Sequence, residues 1–122
     1  MTDASAPTGF LAEDEVSAAL ARELSDAGSA WLLDVREGYE WEAGHAPVAH
    51  HIPLGELGMR QHELPEDQQI LVICRSGSRS RMVTDALTEA NYPAANVEGG
   101  MGAWQAVGGP VEHDDGTPGA IV

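Results

Sequence analysis

Cys74 is the sole cysteine in 122 residues, and its neighbours are those of a nucleophile. It ends the apolar run Ile70-Leu71-Val72-Ile73 and opens the loop Arg75-Ser76-Gly77-Ser78-Arg79-Ser80. A buried strand would carry the thiol to a sheet edge, and a glycine would let the following residues curl around it. A helix starting directly behind adds main-chain N–H groups that attract an anion. The same field favours thiolate over thiol, and the thiolate is the reactive form. A lone cysteine can equally be a small buried hydrophobe. A merely structural cysteine, however, calls for neither Gly77 nor two nearby guanidiniums, which are costly beside an apolar strand unless an anion or a carboxylate receives them.

Two anion-handling chemistries compete for such a loop. Cysteine-dependent phosphatases place five residues between the nucleophile and an arginine that clasps the phosphoryl oxygens. Here that position is Ser80, and the arginine comes one place early, at Arg79. The shorter spacing makes a tighter cradle, which suits one sulfur atom on Cys74 better than a tetrahedral phosphoryl group.

The elements that must position this loop are legible from periodicity. Val16, Leu20 and Leu24 predict a helix from Glu13 to about Ala27, stopped at Gly28. Trp31 to Arg36 reads as a short buried strand, followed by an acidic aromatic segment, Glu37 to Ala43. His51-Ile52-Pro53-Leu54 reads as an edge strand because of Pro53, and Glu56 to Glu63 as a brief helix. Ile70 to Cys74 has the unbroken apolar character of a central parallel strand. Ser78 to Ala90 is a predicted helix with Met82, Val83, Ala86, Leu87 and Ala90 on one face, ended by Asn91 and Pro93. Asn96 to Glu98 and Gly102 to Val107 read as a last strand and helix. Alternation of this kind predicts an α/β layer fold with a mainly parallel sheet. Ligands then bind at the carboxyl ends of the strands, where Cys74 and Asp34-Val35-Arg36 both fall.

Composition narrows the function. The net charge of −14 leaves no basic patch for nucleic acid or an anionic membrane. All basic residues are arginines, and Arg75, Arg79 and Arg81 cluster beside Cys74. Arg81 reads as a solvated helix residue. One cysteine forms no internal disulfide, and neither a leader nor an apolar span is evident, so a cytoplasmic location is expected. His50 and His51 are adjacent and point to opposite faces of a strand, so no metal site is expected there. Trp31, Trp41 and Trp104 are expected in or beside the core. Residues 1–9 read as a flexible tail, 10–112 as one domain and 113–122 as a loose end.

Four stretches stand out in order: Leu32 to Glu37, Gly44 to Leu54, Cys74 to Ser80, and Gly99 to Trp104 with Gly108-Gly109-Pro110-Val111. Together they resemble signatures of the single-domain rhodanese (thiosulfate sulfurtransferase-like) family. The resemblance implies a central five-stranded, mainly parallel sheet with helices on both faces. It implies a Cys74 that takes a sulfane sulfur from thiosulfate or a persulfide donor, carries it as a persulfide, and yields it to cyanide or a thiol. Arg75, Ser76, Gly77, Ser78, Arg79 and Ser80 would form the substrate cradle, with Arg75 touching an anionic donor and Arg79 bracing the loop or adding positive potential. Asp34 and Arg36 would support the site without doing chemistry, and His45 would be scaffold. No cofactor or metal is implied; the partners would be a small anionic donor, a thiophilic acceptor and a sulfur-relay protein. The alternatives are a carrier or interaction module of the same fold that loads without turning over, and a cysteine-dependent phosphatase or arsenate reductase.

Overall fold

The computed structural model describes residues 10–122, so the tail expected at 1–9 lies outside the described residues. Its five strands pair in the order β1 (Glu15–Val16), β5 (Ala94–Val97), β4 (Ile70–Ile73), β2 (Trp31–Asp34) and β3 (His50–His51), every pair parallel. Between them run α1 (Ala18–Asp26), α2 (Gly38–Ala43), α3 (Ser78–Glu89) and α4 (Gly100–Ala106). The α/β expectation is therefore met, with β4 at the centre.

Strand alternation divides the core in two. Leu71 and Ile73 of β4, with Leu32, Ala95 and Val97, meet Ala18 and Ala21 of α1 and Met101 and Trp104 of α4. On the other face Ile70, Val72 and Cys74, with Leu33, Val35 and Ala94, meet Val83 and Leu87 of α3. The register of β4 thus sends Cys74 to the α3 side, directly above that helix's first turn. Trp104 is fully buried and donates its indole N–H to the Pro110 carbonyl at 3.0 Å.

The structure corrects several expectations. The first helix begins at Ala18, not Glu13, and Ser17 caps it by accepting the Leu20 N–H at 3.1 Å. Glu15–Val16 instead adds a strand, because main-chain groups of Asp14 and Val16 accept bonds from Asn96 and Glu98 of the neighbouring chain segment. The buried side of α1 is Ala18, Ala21 and Ser25, small residues against α4, while Leu20 is exposed. The Glu37–Ala43 stretch contains α2, closed by a reciprocal capping box between Glu37 and Glu40. The segment 54–63 holds two 3-10 turns, Leu54–Glu56 and Gln61–Glu63, rather than one helix. Met82 points outward; Ser80, Val83, Thr84 and Leu87 form the buried face of α3.

The chain end at 113–122, expected to be loose, is bound to the domain. Gly119 donates to the Val111 carbonyl at 2.9 Å and Ala120 to the Ala43 carbonyl at 2.8 Å. Ile121 packs against the α1–α4 core. Its glycine and proline content supplies the tight returns that let it fold back rather than fray.

Candidate active site

The Cys74 sulfur is fully buried and lies inside a ring of donors. The Gly77 N–H points to it at 3.1 Å, the Ser80 N–H at 3.4 Å and the Ser80 hydroxyl at 3.2 Å. Gly77 makes this possible: it caps α3 with φ of 109°, a conformation L side chains rarely adopt. Burial is the largest influence on the thiol and pushes it up. The Ser80 hydroxyl, followed by the N–H groups of Ser80, Gly77 and Ser76, together outweigh burial and hold Cys74 below the usual thiol range. Fixed dipoles aimed at a sulfur anion are the arrangement needed to stabilise both a thiolate and a terminal persulfide.

Asp34 and Arg36 are both fully buried and paired, with Nη2 2.8 Å from Oδ2 and Nε 3.0 Å from both carboxylate oxygens. The guanidinium also donates to the Glu40 carbonyl at 3.3 Å and the Gly44 carbonyl at 2.9 Å. One buried ion pair therefore closes the C-terminal end of α2, where carbonyls have no intrahelical partner.

Glu40 carries that support to the nucleophile loop. Its nearly buried carboxylate receives Arg79 Nη1 at 2.8 Å and Nη2 at 2.9 Å, a two-point pair. Arg79 holds the Glu40 carboxyl below the ordinary carboxylate range, against burial. Arg79 thus braces the loop in the structure. Glu40 was invisible as a site residue among the acidic neighbours Glu37 and Glu42; its place three residues into a capping box was the available signal.

The loop's other side rests on α4. Met101 donates its N–H to the Cys74 carbonyl at 2.8 Å, and Gly102 to the Arg75 carbonyl at 3.2 Å. The approach is so close that a Cβ on Gly100, at φ of 57°, would overlap the Cys74 carbonyl oxygen and sit 2.6 Å from the Arg75 carbonyl carbon. Ser76 and Ser78 are exposed at the mouth. Arg75 is exposed too, its Nε donating to the main-chain oxygen of Val122 at 2.9 Å. Arg81 is not merely solvated: it pairs with Asp14, Glu15 and Asp85.

His45, His50 and His51 pack against neighbouring rings and main-chain groups. His45 Nδ1 contacts the Trp41 carbonyl at 2.8 Å, and its ring stacks on Trp41 with centroids 3.6 Å apart. His50 stacks on Trp31, while His51 reaches the Arg36 carbonyl at 2.8 Å.

This geometry coincides with a family. The chain belongs to the rhodanese-like domain family, whose model matches residues 17–107. A protein of Bacillus subtilis (strain 168), YtwF, named as a candidate sulfurtransferase, is 40% identical over 92 residues, covering 75% of this chain and 89% of its own. A protein of Allochromatium vinosum named "Sulfurtransferase" is 32% identical over 101 residues, covering 82% of this chain and 94% of its own. The crystal structure of a rhodanese-related protein from Thermoplasma volcanium superposes with a TM-score of 0.74 at 32% identity, over 80% of this chain and 95% of that one.

Proposed function

We propose that the protein is a sulfurtransferase working through a Cys74 persulfide. The carrying observation is the ring of Gly77 and Ser80 donors around a buried sulfur. The Cys74 thiolate attacks the outer sulfur of thiosulfate or another sulfane donor. A new S–S bond forms, the donor's S–S bond breaks, and with thiosulfate the electron pair leaves on sulfite. Cys74 then holds a persulfide whose terminal sulfur is anionic. Cyanide or a thiolate attacks that sulfur, leaves as thiocyanate or a new persulfide, and restores the Cys74 thiolate. Charge and sulfur balance at each step, with no redox partner. This is covalent catalysis in two half-reactions.

Arg75 is the donor-binding cation in this reading. Each of the other arginines is paired with a carboxylate. Arg75 alone has no side-chain carboxylate within ion-pair distance among the described residues. Ser76 and Ser78 line the exposed mouth and would meet the donor, while Gly77 and Ser80 act on the sulfur itself. The spacing that places Arg79 on Glu40 leaves no guanidinium clasp for a phosphoryl group, which favours sulfur transfer over phosphate chemistry.

The test is intact mass before and after thiosulfate, beside Cys74→Ala, followed by cyanide. A gain of one sulfur atom, labile to cyanide and missing in the variant, is expected, with thiocyanate released. Loading with slow turnover would indicate the carrier role instead. A mass unchanged by thiosulfate and by a protein persulfide donor would refute the reading. Arg75→Ala is expected to raise the thiosulfate KM several-fold at nearly unchanged stability; equal kcat/KM in variant and parent would remove Arg75 from the donor site.

A further inference from the structure

The stretch matched by the family model ends at residue 107, yet the chain continues along the fold to the nucleophile loop. Glu112 and His45 exchange main-chain bonds at 2.9 and 2.8 Å. The Asp115 carboxylate then accepts the Thr117 N–H at 3.0 Å and hydroxyl at 2.7 Å, shaping a return. Gly119 crosses the end of α2 so closely that a Cβ there would lie 2.7 Å from Gly44 Cα and 2.8 Å from the Ala43 carbonyl oxygen. Beyond the crossing, the half-buried Ile121 packs against the core and Val122 presents its main-chain oxygen to Arg75 Nε.

We propose that residues 112–122 form a strap that positions Arg75, and so are a working part of the donor site. The inference rests on Arg75 being the donor-binding cation. A guanidinium on a flexible stem is diffuse positive charge; held by one of its five N–H donors, it presents the other four in a fixed fork. Val122 takes only the Nε proton, and both terminal nitrogens remain without a protein acceptor among the described residues. Arg79, by contrast, spends its fork on Glu40. The strap itself is anchored by Glu112 on His45, Ala120 on Ala43 and the half-buried Ile121 against the core, contacts independent of Arg75.

The experiment compares the parent, a chain ending at Gly119, Arg75→Ala, and both changes together. It measures Cys74 alkylation by iodoacetate, an anion, and by iodoacetamide, which is neutral. Both reagents need the same thiolate, so the ratio of their rates cancels any change in thiolate fraction and reads the cation at the mouth. Shortening is expected to lower the iodoacetate-to-iodoacetamide ratio about fivefold, the scale of one orienting hydrogen bond. Arg75→Ala should lower it at least as much, and the combined variant no further than Arg75→Ala alone. A ratio that stays level or rises on shortening overturns the proposal, as does a fall that adds to that of Arg75→Ala. Should loss of Ile121 prevent folding, the chain lacking only Val122 carries the same comparison. The ratio requires no turnover, so a parent protein that fails to transfer sulfur would refute the proposed function while leaving the strap's effect on Arg75 measurable.

Discussion

Replacing Ser80 by alanine removes one hydroxyl from a fully buried position and nothing else of comparable size. That hydroxyl lies 3.2 Å from the Cys74 sulfur, and it is the foremost of the groups that offset burial. The N–H groups of Gly77 and Ser80 remain in the variant. A hydrogen bond to a charged acceptor is worth about 1.5–3 kcal/mol, and sulfur, a weak acceptor, sits near the lower end. About 1.5 kcal/mol is roughly tenfold in the thiol–thiolate equilibrium. The assay is the rate of Cys74 alkylation by iodoacetamide across pH, for parent and variant. The inflection is expected to move to higher pH in Ser80→Ala. At a pH below both inflections the variant should react about tenfold more slowly, and above both the rates should converge. Linkage gives a second reading. The depressed thiol in the parent adds stability that is complete above the unfolded thiol's value and is lost as pH falls through the folded one, and the variant should show less of it. An unmoved inflection would refute the claim that the hydroxyl stabilises the thiolate. A drop that persists at every pH would show that access to the sulfur, not its ionisation, had changed.

Arg79→Ala should cost roughly 2 kcal/mol in urea unfolding at neutral pH, below the range for a fully buried pair because Arg79 is one-third exposed. The Glu40 carboxyl, held low by Arg79, gives the parent stability that is present above the ordinary carboxylate range and lost as pH falls through its folded value. The variant's acid dependence should therefore be shallower, and an identical pH profile would remove the pair from the stability account. Gly100→Ala meets main-chain atoms of Cys74 and Arg75 at a positive φ, so it should lower stability by at least about 2 kcal/mol and slow Cys74 alkylation. A variant with parental stability and reactivity would mean that α4 does not hold the loop.

What could be read from the sequence follows from how local the cause is. The β4 run and the loop after it are legible because every residue from Ile70 to Ile73 is apolar and Gly77 marks the bend. The helix α3 is legible for the same reason, up to the left-handed Asn91 that follows its end. Glu15–Val16 is a strand only because β5 lies beside it, and two residues carry no period of their own. Val16, Leu20 and Leu24 mimic one helix face, yet Val16 lies in a strand, Leu24 only partly packs on the core and Leu20 is exposed, a tertiary selection that periodicity does not contain. Glu40 looks like its exposed acidic neighbours until Arg79, far along the chain, is brought to it. The chain end reads as loose from its glycines and prolines, and those same residues make the close crossing at Gly119.

The three arginines beside Cys74 meet three different fates. Arg81 turns outward to Asp14, Glu15 and Asp85, fastening the first turn of α3 to the segment before α1. Arg79 is neutralised by Glu40 and acts as a strut between α2 and the loop. Arg79 still interacts with the Cys74 charge, but the groups that bond the sulfur directly are main-chain N–H groups and the Ser80 hydroxyl, positioned by Gly77 and by the seat that α4 provides. Dipoles at hydrogen-bond distance in a buried site are little affected by salt, whereas an exposed guanidinium is screened. Stabilising the nucleophile and attracting the donor are therefore separate tasks here. The first belongs to the inner donors of the loop, Gly77 and Ser80. In the proposed function the second falls to Arg75, whose one described contact comes from a segment beyond the family's matched stretch.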